Sequence, residues 1–207
     1  YGIAKEVFAS YGVDTEAAIA RFHQIPISMH CWQGDDIKGF EDVGDVVSQN
    51  TIVGNYPGAA RNPQELRADI EKALSFSPAS HRVALHSCYA EAKAGRSRDE
   101  YTVEDFDNWI SWAKEKKLGL DYNGSFFTHP MMRNGFSLAS QDKATRDFWV
   151  RVGITSREIS ESIGRALGTP CVNNTWIPDG MKDMTANRFA FRGYLTESRD
   201  RMYEKKL

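Results

Sequence analysis

Apolar positions recur at helical spacing in some stretches of the chain and run nearly unbroken in others, and the two patterns alternate from end to end. Two helices open the chain, Gly2–Ser10 and Glu16–Gln24. Asp14 supplies an N-cap for the second, Glu16 adds a first-turn acid, and Pro26 stops it. A short apolar strand at Pro26–Trp32 then opens into a loop rich in Gly and Asp. Asn62, Pro63 and Glu65 punctuate the next helix start, with Leu66, Ile70, Ala73 and Leu74 along one face. The second strand is Arg82–Tyr89. Thr102 caps a helix whose stripe is Phe106, Trp109, Ile110 and Ala113 and which Gly119 ends; the third strand is Leu118–Asn123. A long helical stretch spans Gln141 to Leu167, with a break expected near Gly153 and a stop at Gly168. The fourth strand is Pro170–Trp176, and a last amphipathic helix runs from about Asn187 to the end.

Strands alternating with helices predict βα units around a parallel sheet, and short, nearly all-apolar strands predict cover on both faces. Each strand ends near a ring or amide side chain (Trp32, His86 with Tyr89, Asn123, Trp176) and runs into a long polar loop. Helix-to-strand connections are short. Long loops on the C-terminal ends of parallel strands are where α/β proteins keep their sites. Four strands so spaced fit a small doubly wound sheet or half of an eight-stranded barrel.

Composition narrows the field. Lys+Arg number 26 and Asp+Glu 28 in 207 residues, a formal net charge of −2 that recruits neither nucleic acid nor an anionic membrane. Mean hydropathy is −0.51, and no apolar run approaches the ~20 residues that span a bilayer. The start, Tyr1-Gly2-Ile3-Ala4-Lys5-Glu6, has no initiator Met, no basic n-region and no apolar h-region, so no secretory leader is expected. Cys31, Cys88 and Cys171 are odd in number and far apart, which fits neither a disulfide framework nor a zinc knuckle and makes a reducing cytoplasm the expectation. GxGxxG, P-loop, GxSxG and HExxH motifs are absent.

Candidate chemistry sits at the strand ends. His30 with Asp35 and Asp36 could ligate a divalent ion, or could be an ordinary strand end followed by solvated acids. His86, inside an apolar strand and near Tyr89, could shuttle protons near neutral pH or be a hydrogen-bonded core histidine. The stretch Asn123–Phe136 is too long and aromatic for a simple turn; Phe126 and Phe127 could wall a site or plug the core. Trp176-Ile-Pro178-Asp179-Gly180 could aim Lys182 and Asp183 inward, or be a surface turn. Trp and Phe with a few polar groups suit a ligand with both apolar and hydroxyl faces, such as a sugar.

Longer strings carry a family likeness. PISMHCWQGDD at 26–36, GNYPG at 54–58, ARN at 60–62, ELRAD at 65–69, Leu118–Asp121 and WIPDGMKD at 176–183 resemble L-rhamnose isomerase, and the likeness runs through essentially the whole chain. FTHP at 127–130 with Gly135-Phe136 is similar, more weakly, to xylose isomerases. The resemblance implies a (β/α)8 TIM barrel of which residues 1–207 are a single domain, the N-terminal half with four βα units and N-terminal helices. It further implies a cytoplasmic homotetramer interconverting L-rhamnose and L-rhamnulose, assisted by Mn2+ acting as a Lewis acid on O1 and O2. Metal ligands in the family come from the second half of the barrel, so none is expected in this chain, and Lys182 is not the family's metal-adjacent lysine. Carried over residue by residue, His86 is the catalytic candidate, near the sugar's ring oxygen and suited to ring opening. Tyr89, Phe127 and Trp176 form the substrate-binding aromatic wall, with Trp32 as a further candidate. A non-catalytic fragment or degenerate paralogue that folds or oligomerises without turnover is the alternative. A half-barrel would also leave the first and fourth strands as open edges.

Overall fold

A computed structural model describes residues 1–31, 34, 39–41, 57–77, 79–180 and 187–207. The chain opens with α1 (Gly2–Ser10) and α2 (Thr15–Phe22), then β1 (Ile27–His30), α3 (Pro63–Leu74) and β2 (His81–His86). Three 3-10 turns follow β2, at Ser87–Tyr89, Arg98–Glu100 and Val103–Phe106. They lead to α4 (Asp107–Lys116), β3 (Gly119–Asn123), α5 (Lys143–Leu167), β4 (Asn173–Asn174) and α6 (Arg188–Met202).

The strands form one sheet in the order β1-β2-β3-β4, and every pairing is parallel. Among the described residues β1 and β4 pair on one side only, so both are edges. Register places Ser28, His30, Arg82, Ala84, His86, Asp121 and Asn123 on one face of the sheet. Met29, Val83, Leu85, Leu120 and Tyr122 occupy the other and pack with Leu66, Ile70, Trp109, Ile110, Ile159 and Ile163 of the helices into the main core. The expectation of two apolar-covered faces is therefore corrected. Helices cover one face, while the other is largely polar and carries a cavity of about 290 Å3 lined by Ser28, His30, Ala84, Asp121 and Asn174 among others. On that face Arg82 chelates Asp121, with Nη2 to Oδ1 at 2.8 Å and Nε to Oδ2 at 3.0 Å. Burial alone would raise the Asp121 carboxyl; the hydrogen bonds from Arg82 outweigh that and hold it low.

Local rules account for most boundaries. Asp14 accepts from the Glu16 and Ala17 amides and caps α2; Asn62 accepts from Glu65 N at 2.8 Å, with Pro63 opening α3. Helix α5 runs unbroken through Gly153, contrary to the expected break. A Cβ there would lie 2.3 Å from Cε of Met202, so this glycine admits α6 rather than interrupting α5. Helix α4 ends on Lys117, left-handed at φ 57°, two residues before the glycine expected to end it; Gly119 is a strand residue whose absent Cβ makes room for the Arg82 guanidinium. Ala73, expected on the buried stripe of α3, is exposed. β4 is two residues long where seven were expected, and β2 stops at His86 because the chain turns into the 3-10 segment at Ser87. A second cluster of Phe126, Leu138, Phe148, Trp149 and Met202 joins α5, α6 and the segment after β3. In contrast, α1 and α2 bury no residue, and Ile3, Val7, Phe8 and Tyr11 are exposed.

Candidate functional site

His86 ends β2 with its side chain 2% exposed, on the same sheet face as Asn123 at the end of β3. Its Nδ1 lies 3.2 Å from Ser125 Oγ. That oxygen also accepts from the Ser87 amide at 3.0 Å and sits 3.3 Å from the Asn123 carbonyl, to which the hydroxyl can donate. A hydroxyl has one proton: where it goes to Asn123 the imidazole donates from Nδ1, and where it goes to His86 the imidazole accepts there. Burial pushes the His86 pKa down to about 3, and electrostatic repulsion from the neighbouring His30 and Arg98 side chains adds to the shift. The ring is neutral near pH 7. It is suited to fixed hydrogen bonding rather than to the proton shuttling that its unperturbed value would allow.

Aromatic rings continue from His86 in both directions. Phe127 meets it edge-on with centroids 5.7 Å apart, and Trp176 meets Phe127 at 5.4 Å and 80°. Exposure rises along this line, from 2% at His86 and 6% at Phe127 to 47% at Trp176. On the inner side Tyr89 stands 5.5 Å from His86; it has no exposed surface and packs on Phe40 and Trp109, so it backs the imidazole from within the core. His86, Tyr89, Phe127 and Trp176 are thus brought together at one end of the sheet. Trp32, Asp35, Asp36, Lys182 and Asp183 lie outside the described residues. Phe126 belongs elsewhere, packing on Trp149 in the second cluster.

In the Pro178-Asp179-Gly180 turn Gly180 is exposed, as a surface turn would have it, while Asp179 is half-buried and anchored. Asp179 Oδ1 accepts from Ser137 N at 2.7 Å and Ser137 Oγ at 2.6 Å, and Oδ2 accepts from Ala139 N at 2.6 Å. Its carboxylate ties the segment bearing Trp176 to the one following Phe136. Burial raises the Asp179 pKa although these donors pull it down. His129 stacks on Phe148 at 4.7 Å, and burial, with the charge of Arg98, lowers its pKa to about 4. Sequence reasoning missed Arg98 and Glu41, a buried pair 57 residues apart beside this site; neither stands in a pattern that a single sequence can expose. Among the described residues no group of three or more His, Cys, Asp or Glu side chains converges to hold a metal. The divalent ion implied by the resemblance therefore does not fit the described part of this chain.

Comparison with known proteins supplies the remaining context. The family profile described as L-rhamnose isomerase (RhaA) matches residues 1–207. The L-rhamnose isomerase of Klebsiella pneumoniae subsp. pneumoniae is 48% identical over 206 residues, covering 99% of this chain and 49% of the relative. That of Mannheimia succiniciproducens is 48% identical, covering 100% of this chain and 50% of the relative. A Listeria monocytogenes serotype 4a L-rhamnose isomerase is 46% identical with the same coverage. The chain spans about half the length of the curated relatives it matches.

Proposed function

The chain belongs to the L-rhamnose isomerase family, and on that premise we propose that it supplies the sugar-facing wall of an aldose–ketose isomerase interconverting L-rhamnose and L-rhamnulose. The observation that carries this reading is the ordered line from buried His86 through Phe127 to half-exposed Trp176. Aromatic edges and faces pack on the C–H surface and methyl end of a deoxy sugar, while a neutral imidazole accepts a hydrogen bond from its anomeric hydroxyl and favours ring opening. Tyr89 holds the imidazole from behind. Four parallel strands in sequential order, helices on one face and a polar second face support reading this segment as four βα units of an eight-stranded barrel whose interior is that polar face. Ligands for Mn2+ then lie in the part of the relatives' length that this chain does not span.

We further propose that the protein works as a cytoplasmic homo-oligomer, a tetramer as in the family. The exposed apolar side chains of α1 favour a partner surface, and among the described residues no helix is long and apolar enough to cross a membrane. The test is a ketose assay with L-rhamnose and Mn2+, run on the 207-residue chain alone and on the chain co-expressed with the remaining half. Isomerisation by the reconstituted protein, none by the chain alone, and slower turnover with His86→Ala are expected. Metal-dependent ketose production by the chain alone, or none after reconstitution into a folded protein, overturns the reading.

A further inference from the structure

Beside the aromatic line lies a buried charge that the proposed chemistry does not use. Arg98 and Glu41 are 1% and 3% exposed, and the guanidinium is fully engaged. Its Nε donates to Glu41 Oε1 at 2.9 Å and its Nη2 to Oε2, while the Tyr101 hydroxyl donates to Oε1 at 2.9 Å. Burial works against charge on Glu41, but the Arg98 charge and these donors prevail and hold the carboxyl below its ordinary value. Desolvating such a pair costs about what the attraction returns, so stability is a poor reason for its presence.

The other half of the fork shows what the pair does. Nη1 donates to the Ser125 carbonyl and to the Phe127 carbonyl at 2.7 Å, and Nη2 to the Thr128 carbonyl at 3.2 Å. One planar group thus grips three carbonyls within four consecutive residues, a geometry that a lysine ammonium cannot reproduce. Within that stretch two non-glycine residues sit in the left-handed region, Ser125 at φ 51° and Thr128 at φ 46°. Backbone in that region persists only where its surroundings over-determine it. The same residues carry the contacts at issue, because Ser125 Oγ meets His86 Nδ1 and the Phe127 ring lies between His86 and Trp176.

We propose that Arg98 is the positioning residue of this site, its Glu41-paired guanidinium fixing the main chain of residues 125–128 so that Ser125 meets His86 and Phe127 meets both His86 and Trp176. The functional half of the inference rests on reading that wall as sugar-facing; the geometric half does not. Arg98→Lys keeps the charge and removes the fork. By NMR the variant chain should stay folded, with β2–β3 amides still protected. The ring contacts of Phe127 with His86 and Trp176 should disappear, and the Ser87 amide, which donates to Ser125 Oγ, should exchange at least about tenfold faster. General destabilisation would instead speed the ladder amides together with Ser87. A folded Arg98→Lys chain with those ring contacts and the Ser87 protection intact overturns the proposal. Should the variant not fold, the unaltered chain decides. Slowly exchanging Arg98 guanidinium protons with cross-peaks to residues 125–128 support the proposal, and exchange at the rate of free arginine overturns it. Phe127→Ala, assayed for L-rhamnose binding in the reconstituted protein, tests the wall separately. If affinity is unchanged there while Arg98→Lys still releases residues 125–128, the sugar reading fails and the positioning role stands.

Discussion

Acid should loosen this fold in a window set by imidazoles rather than carboxylates. His86 and His129 are buried, and desolvation takes their pKa values from the ordinary 6.5 to about 3 and about 4. Both are depressed, so the unfolded chain binds protons that the native chain refuses. The stabilisation is complete above pH 6.5 and is lost as pH falls towards the folded values. Linkage assigns each ring a loss of about 2 kcal/mol between pH 7 and pH 5, roughly 4 kcal/mol together. That is a large share of the ~5–15 kcal/mol that holds a typical domain folded. Glu41 and Asp121, also held low, join in only at lower pH, below their ordinary 4.5 and 3.8, while Asp179, held high, opposes them. Urea unfolding followed by tryptophan fluorescence at pH 7 and pH 5 gives the readout, each protein being compared with itself so that the pH-independent cost of a substitution cancels. The unaltered chain should lose roughly 4 kcal/mol, His86→Gln and His129→Gln about 2 kcal/mol each, and the double variant close to none. A double variant as acid-sensitive as the unaltered chain would refute the assignment of the loss to these two rings.

Three further outcomes follow from local geometry. Asn62→Ala removes the acceptor for Glu65 N at 2.8 Å and should cost about 1 kcal/mol in chemical denaturation; no change would show that α3 does not depend on its cap. Lys117→Gly relieves a left-handed residue at φ 57° and should raise stability by about 1 kcal/mol, whereas a loss would mean that the lysine side chain contributes more than its backbone costs. Asp179→Ala strands the Ser137 amide and hydroxyl and the Ala139 amide. It should cost on the order of 2–3 kcal/mol and shift the Trp176 contribution to emission towards the red, measured against a Trp176→Phe background; an unshifted spectrum would detach Asp179 from the placement of Trp176.

Helix starts and strand sequence were legible because their causes are local. Asp14, Asn62 with Pro63, and Asn187 announce helix starts through side chains a few residues from the amides they serve. That the sheet is parallel followed from alternation, whereas its sequential order did not, since a doubly wound sheet fits the same alternation. Glycines misled where their use was tertiary: Gly153 answers to Met202 and Gly119 to Arg82, each far away in the chain. The polar sheet face was readable in principle, since Arg82, Ala84 and His86 alternate with Val83 and Leu85, but short strands read as apolar runs conceal a period of two. At the candidate site the rings were visible as residue types in loops, and their convergence was not. The Arg98–Glu41 pair was beyond reach, because charged residues are ordinary in loops and only burial distinguishes this one.

The grip of Arg98 has a consequence for how such a site can change. It is made to carbonyl oxygens at 125, 127 and 128, and every residue type offers the same oxygen. Exchanging the side chain at 127 therefore alters the surface presented to His86 and Trp176 while severing none of the bonds that set where that surface stands. Variation at 127 is decoupled from loop geometry, so a lineage, or an engineer saturating this position, can sample new side chains there in single steps without first rebuilding the frame. The same reasoning places the constraint on 98 and 41, where one substitution removes the frame for every possible occupant of 127 at once.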